Sequence, residues 1–259
     1  MRCPQIGVLL VLLSAALQAK AGVFDSPWRD GMDRERFMEE VTVIALAPAA
    51  FPERIGDEQA AQRFERLLAE ALTEAGLNTV ASDVYHRLWQ DKAVEIGGYY
   101  DTRDGSVIED KHATVQQHTL SSLQAGHDVD AVLYSKVEIV EAPFIQSVAK
   151  WDFVRERITG NVSAREHRGS DGWVGKLPAL TLLVEIRKLD QGVVYEGRGG
   201  IELASRYRMD EFRTVPLDEL LKAPEKDGLA VHLGTRWITM EGRALRADIM
   251  IKSKMRARK

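Results

Sequence analysis

Cysteine is almost absent: among 259 residues there is one, Cys3, and it lies ahead of the first apolar run. The rest of the chain therefore forms no disulfide and offers no thiol nucleophile or thiolate metal ligand. The Gly-x-Ser-x-Gly and His-Glu-x-x-His patterns of common hydrolytic sites are also missing. No internal repeat, low-complexity stretch or linker divides the chain. Past the opening residues no apolar run approaches the ~20 residues a membrane-spanning helix needs.

The opening is where apolar residues concentrate. Arg2 supplies a positive start, Ile6 to Leu17 is an uninterrupted apolar and small-residue run, and Ala19-Lys20-Ala21 has the small-x-small form of a cleavage site. Residues 1–21 are expected to be a secretory signal peptide cleaved after Ala21. The run is too short to span a bilayer as an anchor, and Cys3 is misplaced for lipid attachment. Export without disulfides fits a bacterial periplasm better than a eukaryotic secretory route, and periplasmic is the expected location. The 238 residues from 22 onward are enough to bury a sizeable core without a metal or disulfide staple.

Charge is unevenly placed. Taking Arg2 and Lys20 from the 35 basic residues leaves 33 against 39 acidic, a net −6. Residues 243–259 hold seven basic residues against Asp248, so 22–242 carry −12. Such a body repels nucleic acid and anionic lipid except through its tail. In that tail Arg243, Arg246, Lys252, Lys254, Arg256 and Arg258 crowd around a face of Ile238, Leu245 and Ile249, an arrangement suited to an anionic membrane surface or to a closing helix with a frayed end.

Apolar periodicity outlines the middle. Val41 to Ala47 (VTVIALA), stopped by Pro48, reads as a strand buried on both faces. Asp57 to Ala75 places Ala61, Phe64, Leu68 and Leu72 at helical spacing, with Asp57 as cap and Gly76 as stop. A short strand over 77–81, a helix over 84–96, a polar helix over 109–124 and a strand over 129–140 follow. Residues 181–187 and 193–203 pair as a hairpin across Asp190-Gln191-Gly192. Helical pieces at 217–221 and 229–237 are separated by Pro224 and Gly228. Residues 141–176 are expected to be an irregular insertion, in which the alternation of 151–158 permits a strand. The expected fold is a single α/β domain over 22–242 with a mixed sheet of about five or more strands and flanking helices.

The opening VTVIALAP, the helix FERLLAEALTEAG leading into LNTVASD, the strand DAVLYSKVEI and the hairpin TLLVEIRKLDQGVVYEGRGGIEL together resemble a periplasmic α/β domain family. Its members are curli-secretion-type lipoproteins, lipoprotein activators of penicillin-binding proteins, and the amino-terminal domain of the Tol-system β-propeller protein. The resemblance covers about three quarters of the chain beyond the leader. It implies a non-catalytic part of an envelope assembly working by protein contacts. The chain departs from the family in lacking a lipobox cysteine and in the 141–176 insertion.

His112, His118 and His127 lie near Asp101, Asp104, Asp110, Asp128 and Asp130, but His112 and His118 are six residues apart and so fall on different faces of a helix. No metal and no cofactor is implied. Gly197-Arg198-Gly199-Gly200 sits inside a strand pattern with no helix opening after it, so a bulge or strong twist is expected rather than a phosphate cradle. Trp151, Phe153, Arg155, Arg157, Arg165, Arg168 and Trp173 combine residue types enriched at protein-binding hot spots. The aromatic ones serve equally well as plugs sealing the insertion onto its own domain. The expected function is a non-catalytic binding or scaffold component of envelope biogenesis that contacts an envelope protein. The alternatives are a hydrolase of envelope glycan or lipid, built on carboxylates among Asp101, Asp104, Glu109, Asp110 and Asp128, and a small-ligand carrier with a deep apolar cavity.

Overall fold

The computed structural model describes residues 26–53, 55–159, 173–208, 211–216 and 219–240. The leader, residues 160–172 with Arg165 and Arg168, and the basic tail 243–259 lie outside the described residues.

The sheet grows from short buried strands joined by capped helices. Helix α1 (Arg34–Glu40) begins at Asp33, whose carboxylate accepts from Arg36 N at 2.9 Å. Strand β1 (Val43–Leu46) follows, and helix α2 (Glu58–Glu74) starts at Asp57, which caps Ala60 N at 2.8 Å. These side chains satisfy amide groups that a helix start leaves without partners. Gly76, at φ +97, turns the chain out of α2 into β2 (Asn78–Val80). Helices α3 (Ser82–Glu95) and α4 (Glu109–His127) lead to β3 (Ala131–Ile145). Then come β4 (Val148–Trp151), β5 (Val154–Arg157), β6 (Val174–Lys188), β7 (Gly192–Leu203), the hairpin β8 (Ser205–Arg208) with β9 (Glu211–Thr214), and α5 (Pro224–Thr239).

Strands β2, β1 and β3 are parallel, while β6 and β7 continue the sheet antiparallel beyond β3. Hairpin β4–β5 extends from the far end of β3, giving a seven-stranded mixed sheet in a single α/β domain. The segment before α1 adds an outer edge: Arg29 N donates to Val194 O at 3.0 Å, Glu196 N donates to Pro27 O at 2.9 Å, and Trp28 packs on Tyr195 and Phe37.

Helices α1, α2 and α5 cover one face, closing the largest core around Phe37, Ile44, Phe64, Leu68, Leu133, Leu182 and Val184. Helices α3 and α4 cover part of the other face, where Ala45, Ala47 and Val132 meet Tyr85 and Leu123. Strands β1 and β3 are thus buried on both sides here, which is why VTVIALA carries no polar alternation.

Several expected boundaries move. Strand β3 runs to Ile145 and β6 starts at Val174, so the ends of the 141–176 stretch are regular, and 148–157 forms hairpin β4–β5. Its charges alternate onto the solvent side of strands instead of marking a loop. The second helical piece starts earlier than expected: Pro224 opens α5 at its first turn, and Gly228 lies inside that helix. Helix α1 and hairpin β8–β9 were not anticipated. A bulge does occur in β7, where the register with β6 shifts between Leu180 and Thr181.

Candidate functional site: the distal arm

The 15 paired residues of β3 and β6 reach beyond the helices that cover their body end. Past Ile139 the burial pattern of β3 changes: Ala142 and Phe144 are inside a second, smaller core with Ala149, Trp151, Ile158, Leu177 and Leu203, while Ile139 and Ile145 face water.

The β4–β5 hairpin folds back to build that core, and the tip of its turn is stapled to the body. Trp151 Nε1 donates to Leu180 O at 3.2 Å, Thr181 Oγ1 donates to Asp152 Oδ2 at 2.6 Å, and Gly200 N donates to Asp152 O at 3.0 Å. Phe153 lies with its ring 3.7 Å below the Arg236 guanidinium of α5. Asp152 and Phe153 both have left-handed backbones, φ 32 and 69. Gly200 is required at its place, because a Cβ would come 2.8 Å from Trp151 Nε1. Hairpin β8–β9 seals the remaining side: Tyr207 meets Trp173 edge-on at 4.5 Å, and Phe212 lies 5.6 Å from Phe144.

Ionic contacts join arm and body. Glu156 of β5 lies 3.4 Å from Arg206 and 3.2 Å from Lys226, and Glu202 of β7 lies 3.8 Å and 3.3 Å from the same two residues. Mixed acids and bases at this depth offset the cost of removing each charge from water.

The seven partner-binding residues expected from sequence separate. Trp151 is core, 7% exposed, and Phe153 is turned inward under Arg236, so both act as plugs within this chain rather than as outward-facing groups. Trp173 is half-buried against Tyr207, whereas Arg155 and Arg157 are exposed on β5. The exposed apolar groups of the arm are others: Ile145 and Val174, paired across the ladder and 66% and 75% exposed, and Phe212, 45% exposed. For Ile145 and Val174 the signal in the sequence was alternation, which puts them on the face opposite Ala142 and Phe144, whereas Phe212 packs on the Phe144 side.

The remaining constellations fall into place by packing. Gly197 and Gly199 let α5 approach β7: a Cβ at Gly197 would overlap the Gly234 carbonyl oxygen, and one at Gly199 would overlap the Ala230 carbonyl. Tyr195 Oη donates to Gly234 O at 2.6 Å across the same seam, and burial pushes its hydroxyl pKa well above the usual value.

His112 is edge-on to Trp89 and Tyr99 at 5.2 and 5.3 Å, and His118 sits 3.4 Å from Ser122. Among the described residues no three His, Cys, Asp or Glu side chains group as metal ligands would. Of the five carboxylates considered for hydrolysis, Asp128 stands apart. Glu109 and Asp128 stand at opposite ends of the 19-residue α4, roughly 28 Å apart at 1.5 Å per residue. Asp101 is held below the usual carboxylate range by Arg103, the wrong direction for a general acid. A Ser-x-x-Lys spacing does occur at Ser147 and Lys150, but it runs into strand β4, where residues three apart point to opposite faces.

Two shallow concavities flank α4 and share Gln116, about 340 and 250 Å³, at or below the small end of ligand pockets. Glu138, Glu185 and Arg198 on the neighbouring sheet strip are each in an ion pair. Among the described residues no helix is long and apolar enough to cross a membrane.

No protein-family model matches this chain and no curated protein matches it. Among solved structures it is similar to lipoprotein GNA1162 from Neisseria meningitidis, at 14% identity and TM-score 0.32 over 62% of this chain and 80% of that one. It is also similar to a neuraminyllactose-binding hemagglutinin homolog from Helicobacter pylori, at 11% identity and TM-score 0.33 over 90% and 96% of the two chains. With so little superposition neither likeness carries an argument, and the functional reading rests on the residues themselves.

Proposed function

We propose that this chain is an exported, non-catalytic binding component of the bacterial cell envelope that engages a partner protein through the distal arm. The observation behind the reading is the arm's exposed face, where Ile145 and Val174 stand in solvent on a lobe whose other side is stapled to the body. Exposed aliphatic groups on a fixed support form an apolar patch suited to protein contact, and the registers Ile145–Val148–Arg157 and Lys150–Arg155 place Arg157 and Arg155, a residue type enriched at binding hot spots, on the same face. Such groups bind without an ordering cost when the scaffold is already fixed.

Export is supported by the leader-like residues 1–21, and a periplasmic assembly role by the family resemblance of the strand and hairpin motifs. The basic tail supplies a second contact, with anionic lipid, at about 1 kcal/mol per charge near the surface.

The test is affinity capture by residues 22–259 from detergent-solubilised envelope, beside a variant carrying Ile145→Asp and Val174→Asp. A partner held by the parent and lost by the variant, at equal thermal midpoint, is the expected result. Equal capture by both, or capture by neither, overturns the reading.

A further inference from the structure

The deepest buried charge outside the arm lies where loop 219–223 enters α5. Asp227, in the first turn of α5 and 0% exposed, accepts from Arg63 Nε of α2 at 2.6 Å, while its second oxygen, Oδ1, has no hydrogen-bond partner. Through Nη2 the same Arg63 donates to the carbonyl of Leu221 at 2.7 Å. From the opposite side Leu221 N donates to Glu202 Oε1 of β7, also at 2.7 Å. One residue is thus clamped through both of its backbone groups by charged side chains. It is held at φ 56, a left-handed conformation that leucine seldom adopts. Backbone strain of this kind persists only while its surroundings enforce it.

The charges facing Asp227 are Arg63 from α2, Glu202 from β7 and Glu225 from its own helix. Lys226, Arg206 and Glu156 stand behind Glu202, and Lys222 pairs with Asp57 at the rim at 3.4 Å. Burial lifts the Asp227 carboxyl above its ordinary 3.8, outweighing Arg63, and repulsion from Glu202 and Glu225 acts in the same direction.

We infer that Asp227 and Arg63 form an acid-released latch on loop 219–223. When the carboxylate takes up a proton, Arg63 loses its anchor and turns to the solvent it already touches. Leu221 then leaves its enforced conformation, and Leu220 and Leu221, both buried while the latch is shut, come to the surface beside the arm. A carboxyl whose folded pKa is raised binds its proton more tightly in the fold than in the unfolded chain. Its protonation as pH falls toward the unfolded value therefore adds to global stability while the loop opens locally.

The experiment is hydrogen exchange at the Leu221 amide, read as a protection factor so that the intrinsic pH dependence cancels, on residues 22–259 at about pH 7 and about pH 4.5. Protection in the parent is expected to fall about tenfold at the lower pH. Asp227→Asn is expected to have the low value at both pH values, with a neutral-pH thermal midpoint no lower than the parent's. Arg63→Gln, which leaves the carboxylate in place, is expected to open the loop at both. Parent protection that does not change with pH, or full protection in either variant, overturns the latch.

Discussion

Strands β3 and β6 run through two different environments, and the contrast between their ends separates what holds the molecule together from what it presents. At the body end, helices close over both faces of β3, and α5 is seated so tightly on β7 that Gly197 and Gly199 leave no room for a Cβ. At the arm end, one face is sealed by a hairpin of the same chain and by rings from β8–β9, while Ile145 and Val174 stay in water. The ladder is continuous between them, with all 15 residues of each strand paired. Backbone pairing therefore cannot tell the two ends apart; the layers stacked on the strands do.

Four substitutions would break or sharpen that contrast. Gly197→Val forces a side chain into the Gly234 carbonyl, and α5 cannot seat. A loss above about 3 kcal/mol is expected by urea unfolding, and retention of the parent midpoint would show that the helix can slide. Trp151→Ala empties the centre of the arm core and removes the donor to Leu180. It is expected to cost about 3–5 kcal/mol in the same assay, and a cost near zero would mean that the arm folds independently of its plug. Trp28→Ala removes a ring set 5.3 Å from Phe37 and 4.9 Å from Tyr195, for about 2 kcal/mol at the outer edge of the sheet. Its check is faster exchange of the Glu196 amide, which Pro27 covers. Ile145→Asp with Val174→Asp is expected to change stability by less than about 0.5 kcal/mol, since both side chains already face water. A large loss from that pair would place the arm's outer face in the core.

Much of the body was legible in the sequence because burial there follows short-range rules. Asp57 and Gly76 bound α2 as capping chemistry requires, and VTVIALA announces a strand with no solvent face. The turn at Asp190-Gln191-Gly192 locates the β6–β7 hairpin, with Gly192 at φ +92. The arm was harder to read. Its alternation has an exposed apolar face that resembles neither a core strand nor a polar edge, and its prolines and charges imitate a loop. Trp151 and Phe153 drew attention as binding residues by type alone, yet their rings are committed to Leu180 and Arg236.

By itself the sequence determined the order of the body's main elements from β1 to β3, the β6–β7 hairpin, the single α/β domain and the acidic body against a basic tail, because caps, periodicity and charge act within a few residues of one another. Only the tertiary structure decided that the glycines of β7 admit a helix rather than a ligand. It also decided that two tryptophans of one stretch have different surroundings, and that Asp227, Arg63 and Glu202 meet around Leu221. Each of these depends on elements far apart in the chain being brought within a few ångströms, and no local pattern of residues records that distance.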